Sequence, residues 1–253
     1  MSRFDYLLLD ADNTVLDFSK SERIALSDLL SSQGLPITPE VIDTYSMLNE
    51  KLWRQLERGE LKREELQRLR FEQLLTYLER EAPWHPEWDL TGFDWEQTDA
   101  AALNENFIDH LSRQTWLMTD ADLILPQLRQ RWELVIVTNG IQRAQQGRLA
   151  GSKVADCFSS VFVSETVGYD KPDPRYFDHV CAELGVQDRS RLLLIGDSPA
   201  SDLLGGYNAG IPTCWYNPWA RDLPHDMERR PDHEIRGWRE LPQLLAVLDP
   251  PEE

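Results

Sequence analysis

The chain has 253 residues, enough for one large domain or two modest ones with a substantial core. Its 26 basic and 44 acidic side chains leave a formal charge of -18, which disfavours nucleic-acid polymers and anionic membranes as partners. Small phosphorylated ligands stay open, because a bound cation can reverse the local field. No apolar stretch approaches the roughly 20 residues of a membrane span. Met1-Ser2-Arg3 leads straight into an apolar run, without the features of a secretory leader. Three cysteines, Cys157, Cys181 and Cys214, lack metal-ligand spacing and read as core filling in a reducing, cytoplasmic setting.

The first predicted element is a short buried strand at Tyr6-Leu7-Leu8-Leu9. Asp10-Ala11-Asp12-Asn13-Thr14 follows at its C-terminal end. In extended backbone, side chains at i and i+2 point the same way, so Asp10 and Asp12 crowd one spot if that geometry continues. Like charges so close need a cation between them or a proton on one. A turn in which Asp and Asn bond nearby backbone is the alternative reading.

Residues from about Asp17 to Gln114 are helix-like and charge-rich. Ile24, Leu26, Leu29 and Leu30 keep helical spacing, as do Val41, Tyr45, Leu48, Leu52 and Leu56. Leu66, Leu69, Gln73, Leu74 and Leu78 form a third stripe, and Leu103, Phe107 and Leu111 a fourth. Between the last two lies Pro83-Trp84-His85-Pro86-Glu87-Trp88, whose prolines break helix and whose aromatics need a core or a partner. Trp53 and Trp84 are expected to pack. From Thr115 onward strands alternate with helices. Runs at 134–137, 161–163, 192–195 and 211–216 are short and apolar, and Pro174 to Leu184 is amphipathic. Pro126 predicts a kink or a late start in a helix over 122–131. The pattern implies an α/β fold: a Rossmann-like, doubly wound parallel sheet of five strands. Residues 1–16 and 115–253 would form it, with 17–114 inserted as a small helical cap domain.

In such a sheet, ligands bind outside the carboxyl ends of the strands. The second strand ends in Thr138-Asn139-Gly140, and a loop after the third carries Asp170-Lys171-Pro172. The fourth ends in Gly196-Asp197-Ser198-Pro199-Ala200-Ser201-Asp202. Singly, these read as turns, a surface loop and helix caps. Together they put carboxylates, a hydroxyl, backbone amides and a lysine on one edge.

In order and spacing, the four segments resemble the motifs of the haloacid dehalogenase-like (HAD) superfamily, over nearly the whole chain. Within it, Asn49-Glu50-Lys51-Leu52-Trp53, Ser164-Glu165-Thr166-Val167-Gly168 and Gly205-Gly206-Tyr207-Asn208-Ala209-Gly210 resemble the YjjG-type pyrimidine 5'-nucleotidases. The stretch from Trp84 to Thr98 departs from their compact cap. The resemblance implies a Mg²⁺-dependent phosphatase of nucleoside 5'-monophosphates, with Asp10 as nucleophile and Asp12 as acid and base. It implies Mg²⁺ on the Asp10 carboxylate, the Asp12 backbone carbonyl and the Asp197 carboxylate, with Asp202 supporting from behind. Thr138, Asn139, Gly140 and Lys171 would take the phosphoryl oxygens, Lys171 also orienting Asp10. A small phosphorylated substrate is the expected partner; oligomeric state is left open. Alternatives on the same fold are a sugar-phosphate or acylneuraminate phosphatase, or a phosphomutase. Hydrolytic dehalogenation would need neither Mg²⁺ nor an acid at Asp12. A non-catalytic small-molecule scaffold would be expected to have lost one of these residues.

Overall fold

The structure is a computed structural model and describes residues 3–225, 227 and 229–249; the extreme ends of the expected core domain lie outside them. It divides into two compact units, one of the chain up to Phe18 with that from Thr115 onward, the other Ser19–Gln114.

The first unit is built on a six-stranded parallel sheet in the order β3-β2-β1-β4-β5-β6. The strands are β1 (Tyr6–Leu9), β2 (Glu133–Thr138), β3 (Phe158–Val163), β4 (Leu192–Gly196), β5 (Thr213–Tyr216) and β6 (His233–Ile235). Residues alternate between the faces, and both faces are apolar because both are covered. Leu7, Leu9, Leu134, Ile136, Leu193 and Ile195 pack on one side with α5 (Ala121–Leu128) and α10 (Leu241–Leu248). Leu8, Val135, Val137, Leu192 and Leu194 pack on the other with α8 (Pro174–Leu184). That helix starts on Asp173, whose side chain accepts from the Arg175 amide, with Pro174 in its first turn. Three further helices, α6 (Gln142–Ala150), α7 (Ser164–Val167) and α9 (Leu204–Ala209), complete the unit.

Two expectations need correcting. The sheet has a sixth strand, β6, which only three residues form, one of them buried; so short a run carries no apolar pattern. Helix α5 starts early, at Ala121, and Pro126 lies inside it. The helix ends at Leu128, two residues after the proline.

The second unit contains α1 (Phe18–Ser32, beginning one residue before it), α2 (Pro39–Glu57), α3 (Arg63–Glu81) and α4 (Ala100–Ser112). Tyr45, Phe71 and Phe107 form its aromatic centre, with ring centroids 5.3 to 5.7 Å apart. Arg70 is buried beside them, over the Phe107 ring, donating from Nε to Asn104 Oδ1 at 3.0 Å. Glu22 is buried as well and accepts from Ser46 and from Asn49, each at 2.7 Å. In the Trp-rich stretch Trp88 is buried with His85 stacked on it at 4.2 Å. Trp84 is 78% exposed and does not pack as expected. Prolines 83 and 86 confine the segment to two single 3-10 turns, too short to bury both indoles. Among the described residues no helix is long and apolar enough to cross a membrane.

Candidate active site

Strand order reverses between β1 and β4, whose partners on either side are β2 and β5. Leu9 pairs with Ile136 and with Ile195, so the three central strands end within two residues of one another. Asp10, Thr138 and Asp197 therefore emerge at one edge, in the crevice where doubly wound sheets bind ligands.

Lys171 ties this edge together. It is fully buried and donates from Nζ to Asp10 Oδ1 at 2.8 Å, to Asp202 Oδ1 at 2.6 Å and to the Val137 carbonyl at 2.8 Å. All three ammonium hydrogens are thus used. Asn139 fixes the lysine's backbone from both sides: its amide nitrogen donates to the Lys171 carbonyl at 2.7 Å, and its oxygen accepts from the Lys171 amide at 2.8 Å. Burial alone would lower the lysine's pKa, but the Asp10 and Asp202 carboxylates outweigh it and hold the ammonium charged well above its ordinary range.

Asp202 arrives on a single turn of π-helix, Pro199–Leu203, and its Oδ2 accepts from the Ser198 amide at 3.0 Å. Both of its oxygens are thereby engaged. Gly196 makes room for it, since a Cβ there would lie 2.2 Å from Asp202 Oδ2. Any side chain would push the carboxylate off the lysine. Asp197 is held through its carbonyl, which accepts from Trp215 Nε1 at 3.0 Å, and through Oδ2, which accepts from Arg221 at 2.9 Å.

One carboxylate oxygen from each of Asp10, Asp197 and Asp202 lies within 4.8 Å of the others, and all three residues are buried. Burial pushes Asp197 up to about 7, and the nearby Asp202 charge adds to it, against the pull of Arg221. Asp10 is also pushed well above the carboxylate range, by burial first, with Lys171 opposing and Asp202 and Asp197 reinforcing. Three carboxylates against the buried lysine and the part-exposed Arg221 still leave one negative charge unbalanced, on hard oxygens only, a donor set that fits Mg²⁺.

The sign of the resulting pH dependence follows. A carboxyl whose folded pKa exceeds its unfolded value, about 4, adds stability at low pH and loses it as pH rises through the folded value. Metal-free protein in EDTA should therefore have a lower melting temperature at pH 8 than at pH 5. Adding Mg²⁺ at pH 8 should restore it, because binding to the folded state alone stabilises that state. Differential scanning fluorimetry checks this; a melting temperature indifferent to Mg²⁺ at pH 8 would contradict the cation-binding reading of the cluster.

The chain matches the family model for haloacid dehalogenase-like hydrolases over residues 4–210. It belongs to that family. The HAD-hydrolase YfnB of Bacillus subtilis is 34% identical over 98% of this chain and 97% of its own. The crystal structure of YfnB bound to magnesium superposes with a TM-score of 0.84 at 33% identity, covering 96% of this chain and 99% of that one. The pyrimidine 5'-nucleotidase PynA of Streptococcus pneumoniae is 31% identical over 96% of this chain and 95% of its own. The pyrimidine 5'-nucleotidase YjjG of Escherichia coli is 31% identical over 96% and 99%.

Of the site residues read from sequence, Asp10, Lys171, Asp197 and Asp202 stand together, and Asn139 supports the lysine. Thr138 is fully buried, and its Oγ1 accepts from Gln145 at 3.3 Å. The Asp12 carboxylate is outside the acidic cluster and bonds to Gln145 and Arg148. Sequence reading missed four residues whose side chains touch this set: Gln145, Arg148, Trp215 and Arg221. Gln145 and Arg148 could have been suspected from α6 itself, QRAQQGRLA, which has little apolar surface for a helix that directly follows a core strand. Nothing in the sequence marks Arg221.

Proposed function

We propose that this hydrolase is a Mg²⁺-dependent phosphomonoesterase acting on nucleoside 5'-monophosphates, pyrimidine ones foremost, through an aspartyl-phosphate on Asp10. The observation that carries it is the buried Asp10 carboxylate, held by a fixed ammonium and flanked by two further carboxylates. This suits an oxygen nucleophile working against a phosphoryl group, whose transfer depends mainly on position and charge neutralisation. The substrate class is supported by PynA and YjjG, which align over nearly the whole chain, including 19–114.

Mg²⁺, on the Asp10 and Asp197 carboxylates and the Asp12 carbonyl, would supply charge neutralisation at the phosphoryl oxygens. Lys171 holds Asp10 by Oδ1, leaving Oδ2 to attack phosphorus, and its charge offsets that on the phosphoryl oxygens. Thr138 and the amides near Asn139 and Gly140 would bond those oxygens. As the phosphorus–oxygen bond to the nucleoside breaks, Asp12 gives a proton to the departing oxygen. Water then attacks phosphorus and gives a proton to Asp12, while the bond to Asp10 breaks and inorganic phosphate forms.

The test is phosphate release from UMP, dUMP and dTMP against ribose 5-phosphate and glucose 6-phosphate, with Mg²⁺ and with EDTA. The pyrimidine nucleotides should lead in kcat/KM by about tenfold or more, and EDTA should abolish turnover. Sugar phosphates leading by that margin would reject the nucleotide assignment, and turnover surviving EDTA would reject the metal.

A further inference from the structure

The Asp12 carboxylate is gripped from one helix. Gln145 donates from Nε2 to Asp12 Oδ2 at 2.7 Å, and Arg148 donates from Nη1 to Asp12 Oδ1. Both lie on α6, three positions apart and so on one face. The Arg148 side chain is 1% exposed while that of Asp12 is 26% exposed. A buried guanidinium and a buried amide are thus spent on an acid that itself reaches solvent. Burying such groups is costly unless their bonds are specific.

The grip extends to the residue read as a phosphate ligand. The same Gln145 Nε2 donates to Thr138 Oγ1 at 3.3 Å, and Arg148 Nη1 donates to Gln145 Oε1 at 3.4 Å. Gly140 leaves space for this: a Cβ there would lie 2.8 Å from Gln145 Nε2. Arg148 also lies over the Phe18 ring, 5.6 Å from its centroid.

We propose that Gln145 and Arg148 are positioning residues for proton transfer by Asp12. They fix the carboxylate in one rotamer and occupy one acceptor direction on each oxygen. A carboxylate oxygen has about two such directions. A proton on Asp12 cannot face Nη1 or Nε2, which present hydrogens of their own. It must sit on the remaining side, where it can pass to the departing oxygen as the phosphorus–oxygen bond breaks. In the second half-reaction the same side accepts the proton of the attacking water. The inference rests on the acid and base reading of Asp12 given above.

Leaving-group chemistry separates positioning from mere support. A nitrophenolate departs without help, whereas an alkoxide needs a proton. Gln145→Leu, Gln145→Met and Arg148→Met should each slow phosphoryl transfer from UMP by about 100-fold in rapid-quench single turnovers. KM should change little, and the p-nitrophenol burst from p-nitrophenyl phosphate should fall less than about threefold by the same reasoning. In an Asp12→Asn background, adding Arg148→Met should cost nothing further. The two Gln145 variants keep the test alive if Arg148→Met fails to fold, which circular dichroism and melting would reveal. Equal losses on both substrates, or losses additive with Asp12→Asn, would show a structural role and overturn the proposal. If Asp12→Asn slows UMP turnover while the α6 variants do not, the proposal alone fails. If Asp12→Asn spares UMP turnover, the acid reading fails and the proposal with it.

Discussion

Asp10→Asn should lower kcat by a factor of about 10⁴ or more, the scale on which removing a covalent nucleophile acts. Asparagine keeps the shape of the side chain but cannot form an acyl phosphate. Lys171 loses one carboxylate partner and keeps Asp202 and the Val137 carbonyl. The Asp10 charge it replaces is itself disfavoured by burial, as the raised pKa records. The variant should therefore melt within a few degrees of the wild type in EDTA. A steady-state assay at saturating substrate, paired with a melting curve, checks both parts. A variant retaining more than about a tenth of wild-type kcat would remove Asp10 from the role of nucleophile.

Lys171→Met should have the largest effect on stability. The substitution roughly conserves length but leaves Asp10 and Asp202 buried without their cation and the Val137 carbonyl without its donor. Breaking a buried ion pair from one side costs about 3–5 kcal/mol. Exposed pairs such as Arg175–Asp173 contribute about 0–1 kcal/mol. The sign with pH is fixed by the same carboxylates. At pH 5 groups with raised pKa values take up protons, so the unpaired charge shrinks and the loss should be smaller than at pH 8. Urea denaturation in EDTA at the two pH values measures the difference. Equal losses would contradict a cost arising from unpaired carboxylates.

Much of this site is legible in the sequence because strand ends are easy to read. Tyr6–Leu9, Leu134–Val137 and Leu192–Ile195 are uniformly apolar, as strands covered on both faces must be, and each hands on directly to chemistry. Strand β3 is read late because it begins at Phe158 and leaves Ser159 and Val161 exposed at the sheet edge. Strand β6 is too short to show a period. The buried polar residues are the larger loss. Arg70 and Glu22 lie on helices where a charge normally marks the solvated face, and only the folded partners Asn104, Asn49 and Ser46 reveal otherwise. Gln145 and Arg148 show only as part of an apolar-poor helix, since the partner that explains their burial is an acid more than 130 positions earlier. Spacing along the chain carries no trace of such a contact.

The central claim is that the phosphoryl group passes through Asp10. Acid quenching of wild-type enzyme during turnover of UMP with Mg²⁺, followed by peptide mass spectrometry, tests it directly. Phosphate on the peptide bearing Asp10, absent from Asp10→Asn, is the predicted result. Phosphate trapped on another residue of an enzyme that turns over normally would contradict it.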